Sequence, residues 1–117
     1  MEAASSVLVS EADPDVRRLL VLVIERLGHE AIVLEHDVET PAHIDLVLVE
    51  PTSEVCLEQA RRARERRPEV LVVAMSALTA DADFLRGGPL EYLEKPFTID
   101  GLVAKLGGEV RPDPRFG

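Results

Sequence analysis

Five short apolar runs, rich in β-branched residues and separated by stretches with helical spacing, constrain this chain more than any other feature. They are Val7-Leu8-Val9, Ala31-Ile32-Val33-Leu34, Leu46-Val47-Leu48-Val49, Val70-Leu71-Val72-Val73-Ala74-Met75 and Leu90-Glu91-Tyr92-Leu93. Continuous apolar runs bounded by turn residues read as parallel strands buried on both faces, and alternation with helices makes them βα units. The fifth run alternates polar and apolar residues, as a strand near a sheet edge does. A chain of 117 residues has room for one such domain.

The connections are specified unevenly. Asp13-Pro14-Asp15 predicts a helix start, with an N-cap, a proline at the first helical position and an acid in the first turn; Gly28 supplies the stop. Val16, Leu19, Leu20, Val23 and Leu27 then share one helical face. A second helix is expected from Ser53 to about Arg67, with Cys56, Ala60 and Ala63 inward and Pro68 closing it. Asp81 to Arg86 supports a short helix ended by Gly87-Gly88, and Thr98 opens a last one through Leu102, Val103 and Leu106. The stretch from His36 to His43 is shorter than the dozen residues a parallel crossover usually takes and contains Pro41. One or two helical turns, or an irregular loop, are expected there. Residues 1–107 form the domain, and 108–117, with Pro112 and Pro114, form a loosely ordered tail.

Charge and composition exclude several functions. The formal net charge is −9, from 22 acids and 13 bases, and such a field repels phosphate backbones and anionic lipid. Neither nucleic acid nor a membrane is an expected partner. The lone Cys56 rules out an internal disulfide, and with no signal-peptide pattern a cytoplasmic location is expected. Cys56 itself reads as a small core residue. His29, His36 and His43 recur at intervals of seven but straddle a strand, so they are not expected to share a metal. Arg61, Arg62, Arg64, Arg66 and Arg67, near a helix C-terminus, read as a solvated face or as a dock for an acidic partner.

In open parallel sheets, reactive groups gather at the carboxyl ends of the strands. Here those ends carry Ser10-Glu11-Ala12-Asp13, Glu50-Pro51, Ser76-Ala77 and Glu94-Lys95-Pro96-Phe97: carboxylates, a hydroxyl and an ammonium. No glycine-rich phosphate loop follows the first strand, which disfavours nucleotides.

In order and spacing, these positions resemble the receiver domains of bacterial response regulators in two-component systems, over Val7 to Leu106. The resemblance implies a flavodoxin-like (βα)5 three-layer α/β sandwich with a five-stranded parallel sheet of order 2-1-3-4-5. The second and fourth helical segments look shortened. It also implies roles. Glu11 matches the first metal-binding acid, but Ala12 replaces the second; Glu50 stands at the phosphoacceptor position usually held by Asp. Ser76 and Lys95 match the hydroxyl and ammonium positions, Lys95-Pro96 matches a bond often cis in the family, and Tyr92 matches its aromatic reporter of activation. The acidic pocket is then Glu11, Asp13 and Glu50, and Ser76, Tyr92, Lys95 and Pro96 hold the switch positions.

These departures have physical consequences. Mg²⁺ usually takes one or two carboxylates together with waters, and Ala12 offers no oxygen, so Mg²⁺ binding is expected to be weak or absent and no cofactor is expected. The Glu50 carboxylate lies one bond, roughly 1.5 Å, beyond that of an Asp, far enough to misplace an in-line attack. It can instead extend toward Lys95 and Ser76 as a standing negative charge. Two carboxylates about 5 Å apart repel by about 3 kcal/mol at an effective dielectric near 20, which gives Lys95 a structural use even without phosphate. The leading expectation is a pseudo-receiver, not an enzyme, that signals through protein contacts without phosphorylation and can form a homodimer. The alternatives are a receiver that still accepts phosphate at Glu50 with Mg²⁺, and a small-ligand binding domain in the same crevice.

Overall fold

The computed structural model describes residues 5–34, 39–41, 43–76, 87–94 and 98–106. Five parallel strands, β1 (Ser6–Ser10), β2 (Glu30–Ile32), β3 (Leu46–Val49), β4 (Leu71–Ser76) and β5 (Leu90–Glu94), form one sheet in the order β2-β1-β3-β4-β5. Three helices flank them: α1 (Pro14–Arg26), α2 (Glu54–Arg66) and α3 (Ile99–Lys105). This is the flavodoxin-like arrangement expected from the sequence.

Pleating divides the strand residues between two cores. Val7, Val9, Leu46, Leu48, Val73 and Met75 pack with Leu20, Val23 and Ile24 of α1 and with Leu102 and Leu106 at the far end of the chain. Leu8, Val47, Val49, Val72 and Ala74 face the other way, onto Cys56, Ala60 and Ala63 of α2. Both faces are covered, which is why the central strands read as unbroken apolar runs.

The helix ends follow their local chemistry. Asp13 caps α1, its side chain accepting from the backbone N–H of Asp15 at 2.9 Å and of Val16 at 3.4 Å. At the other end Gly28 adopts φ +86°, a left-handed conformation open to glycine. The His29 N–H then donates to the Ile24 carbonyl and the Gly28 N–H to the Glu25 carbonyl, the paired bonds of a Schellman stop. Ser53 caps α2 and Thr98 caps α3, whose Gly101 N–H donates to the Thr98 hydroxyl at 2.9 Å.

Two expectations need correction. Leu19 is not on the buried face of α1: it is 42% exposed, and Ile24 takes its place, because the buried stripe runs through Leu20, Val23 and Ile24. Strand β2 stops at Ile32, where its pairing with Leu8 ends, and Val33 beyond it is exposed. Between β2 and β3, the described residues 39–41 and 43–45 form neither helix nor strand, in keeping with the irregular loop offered as one reading of that stretch. There Thr40 and Ile44 are buried, Ile44 within the core cluster that includes Cys56, Ala60 and Ala63 of α2. The short helix expected at Asp81 to Arg86 and the tail from 108 fall outside the described residues.

The arginines near the end of α2 do more than line a solvated face. Arg67 donates through Nη1 to Asp45 Oδ1 at 2.6 Å and to the Ile44 carbonyl at 3.3 Å. Asp45 Oδ2 accepts from the Ser6 N–H at 2.8 Å, so one carboxylate joins β1, β3 and α2 at the amino end of the sheet. Burial pushes the Asp45 carboxyl up, but the Ser6 N–H and Arg67 outweigh it and hold it below the usual aspartate range. Arg64, whose partial burial lowers its affinity for its proton, donates to the carbonyls of Val70 and Pro89 and so fastens α2 to the entry of β4 and β5. Gly88 makes room for it: a Cβ there would lie 2.9 Å from the Pro68 carbonyl and 3.0 Å from the guanidinium. Arg61 and Arg62 pair along α2 with Glu58 and Glu65.

Candidate functional site

Strands β1 and β3 end side by side, and the first residues past them are acids. Glu11 follows β1 and Glu50 follows β3, and they are 5% and 9% exposed. The Glu50 N–H donates to the Ser10 carbonyl at 2.9 Å, which carries the β1–β3 pairing one step beyond the ladder. Side-chain contacts then fix each acid locally. Glu11 Oε1 accepts from the Asp13 N–H at 3.2 Å. Glu50 Oε1 accepts from the Thr52 hydroxyl at 2.6 Å and from the Thr52 N–H at 3.3 Å.

Of the two roles expected of Asp13, the structure shows the cap. Asp13, expected in the acidic pocket, is exposed and its Oδ1 is committed to the N-terminus of α1. Ala12 is exposed in the loop between them. Arg17 folds back from α1, donating through Nη1 to the Glu11 carbonyl at 3.3 Å, and thereby brings a guanidinium to the same loop.

Below the loop lies a buried polar clamp. The Ser10 hydroxyl is 2.5 Å from Gln59 Oε1 and 3.2 Å from the Cys56 carbonyl, one proton serving both acceptors. Gln59 Nε2 donates to the Leu34 carbonyl at 3.1 Å, so a single side chain of α2 holds the end of β1 and the chain leaving β2. A groove of about 670 Å³ opens over this clamp, lined by Glu11, Ala12, Arg17, Val33, Leu34, Val55 and Gln59 among others. Cys56 lines it too, but is buried.

Of the remaining expected site residues, Ser76 ends β4 and pairs in register with Glu94, which places both at the carboxyl end of the sheet. Tyr92 stands on β5 and is 46% exposed. Lys95 and Pro96 lie outside the described residues. His29 accepts the Ser5 N–H through Nδ1, while His43 lies 3.5 Å from Glu30. Among the described residues, no three His, Cys, Asp or Glu side chains form a group that could hold a metal, and no helix is long and apolar enough to cross a membrane.

Thr52, Gln59 and Arg17 were not singled out from the sequence. A hydroxyl two residues after an acid is a recognisable spacing for a local turn, and a glutamine on the helical face of Cys56, Ala60 and Ala63 marks a buried polar contact. Arg17 carries no such signal.

No family model matches the chain, and no curated protein matches it by sequence. Solved structures do match in fold. A response regulator from Thermotoga maritima is 24% identical, with a TM-score of 0.64 over 89% of this chain and 95% of its own. Vibrio cholerae chemotaxis protein CheY4 is 15% identical, with a TM-score of 0.70 over 89% and 97%. The receiver domain of the sensor histidine kinase PA1611 from Pseudomonas aeruginosa, solved with a magnesium ion coordinated in its active-site cleft, is 21% identical, with a TM-score of 0.65 over 89% and 95%. The fold is that of the response regulator receiver domain.

Proposed function

We propose that this protein is a receiver-like signalling module that works through contacts with a protein partner, without phosphoryl transfer. The observation that carries the reading is the state of Glu50. At the position where a receiver presents its reactive acid, the carboxylate is 9% exposed and its Oε1 already accepts two hydrogen bonds from Thr52. A nucleophile held in this way is displaced from in-line attack, and the extra methylene of glutamate adds to the displacement.

The donor set fits Mg²⁺ poorly. Ala12 contributes no oxygen, the Asp13 carboxylate serves the α1 N-terminus, and Arg17 brings a positive charge to the loop. Phosphoryl transfer depends on cations that offset the charge gathering on the transferred group. With that cation poorly held, the carboxylate of Glu50 acts as a fixed charge, and Lys95, one residue past β5, is its partner in this reading. Signalling then rests on shape. The face formed by β5 and α3, where Tyr92 and Ile99 are exposed, is the surface we assign to a protein partner or a second copy of the chain.

Incubation with Mg²⁺ and acetyl phosphate followed at once by intact-mass measurement tests the reading. The expected result is an unchanged mass. A gain of one phosphoryl group at Glu50 overturns it in favour of a working phosphoacceptor.

A further inference from the structure

Between β2 and β3 the described residues 39–41 and 43–45 form neither helix nor strand, and a depression of about 500 Å³ lies there beside the second half of α2, lined by Glu39, Thr40, Arg62, Glu65 and Arg66. It lies toward the end of the helix that Arg67 ties to the amino end of the sheet, away from Glu11 and Glu50. Thr40 is 2% exposed, and its hydroxyl has no hydrogen-bond partner among the described residues. Buried polar groups are nearly always satisfied, and one that is not, at the wall of a cavity, marks a missing partner.

The surrounding charges indicate its chemistry. Arg62 donates through Nε to Glu58 at 3.2 Å, and its terminal nitrogens make no hydrogen bond to a described residue. Arg66 pairs with Glu39, whose carboxylate is 80% exposed. Glu65 is neutralised by Arg61. The cavity therefore offers one hydroxyl and two guanidiniums, each already sharing a carboxylate, Arg62 through Nε with Glu58 and Arg66 with Glu39, and the second of these carboxylates is one that water can draw away. A guanidinium matches the oxygen spacing of phosphate. A carboxylate brings two oxygens and one charge, and Glu39 shows that this satisfies one arginine; a phosphate dianion brings three oxygens and a charge that balances two.

We propose that this depression binds the phosphate group of a small phosphate monoester, held by Thr40, Arg62 and Arg66, with Glu39 as a built-in competitor for Arg66. The site is separate from the strand-end pocket and does not depend on the function proposed above.

The test is a titration of the full-length chain with inorganic phosphate and with glycerol phosphate, followed by amide chemical shifts against acetate and chloride at matched ionic strength. Saturable shifts centred on Thr40, Arg62 and Arg66 are expected with both phosphates and not with acetate. A stronger response to glycerol phosphate assigns the site to an ester, and an equal one to the free ion. Arg62→Ala, at a surface position, is expected to weaken binding about tenfold, the loss of one charge-assisted contact. Thr40→Val weakens it while keeping the shape of the side chain. Glu39→Gln strengthens it several-fold by removing the competitor, an effect that a merely structural Glu39–Arg66 pair would not produce. Shifts no larger than in acetate, shifts centred on Glu11 and Glu50, or unchanged affinity in Arg62→Ala would each overturn the proposal.

Discussion

The Thr52 hydroxyl donates to the Glu50 carboxylate at 2.6 Å, so the acid ending β3 is held by the turn that follows it. Removing the donor should loosen that turn. Thr52→Val is expected to cost about 1 kcal/mol, the usual net worth of a partly solvated hydrogen bond, whereas Thr52→Ser should cost less. Urea unfolding midpoints of the two variants check the difference.

Gln59 joins Ser10 and Leu34, and the clamp is buried. Gln59→Leu should destabilise by about 1–2 kcal/mol, because it leaves the Leu34 carbonyl without its donor and the Ser10 hydroxyl with only the longer bond to the Cys56 carbonyl. Adding Ser10→Ala to it should cost less than the two single losses summed, since removing both partners leaves one fewer unsatisfied group. A double-mutant cycle in urea reads this directly.

Asp45 gives the fold a defined acid sensitivity. Its carboxyl is held below the usual aspartate value in the folded chain, so the unfolded chain takes up the proton first as pH falls. The contribution of the Asp45–Arg67 pair is therefore complete above about pH 4, the ordinary aspartate range, and is lost as pH drops through the lower folded value. Asp45→Asn should show a constant stability deficit near neutrality that narrows below about pH 4, and parallel urea titrations would refute the assignment if the gap stayed fixed.

Gly88 is held between the Pro68 carbonyl and the Arg64 guanidinium. Gly88→Ala is expected to destabilise by about 1–3 kcal/mol, because the nearest atom is backbone and cannot yield cheaply. If Arg64 is first shortened by Arg64→Ala, the penalty of the added methyl should shrink, as thermal unfolding of the single and double variants would show.

Restoring the receiver chemistry should take two changes at once. Ala12→Asp with Glu50→Asp supplies a second metal-ligating acid and shortens the reactive arm, and some phosphorylation by acetyl phosphate with Mg²⁺ is expected by intact mass. Persistent failure would place the block in the altered connections.

The sequence carried the sheet plainly, because strands buried on both faces leave unbroken apolar runs such as Leu46-Val47-Leu48-Val49. The start of α1 was equally plain, since Asp13-Pro14 encodes a cap by local rules alone. Strand order came from resemblance, as no local signal specifies which strands pair. What escaped reading was long-range or lay at the margin of a helical face. Leu19 sits one helical step from the buried stripe. Arg64 and Arg67 look like surface charges until the fold brings Pro89 and Asp45 beside them. At the site, Glu11, Ala12 and Glu50 were visible as residue types and Asp13 as a cap, but the hold of Thr52 on Glu50 depends on where the loop turns.

Arg64 and Arg67 also determine how α2 can move. With the far end of the helix fastened to the carbonyls of Val70, Pro89 and Ile44, the helix cannot slide as a rod. The Ser10 hydroxyl, bonded to the Cys56 carbonyl and Gln59, ties the first half of the same helix to β1, so α2 is riveted to the sheet at both ends and a displacement beside Glu50 is shared between them.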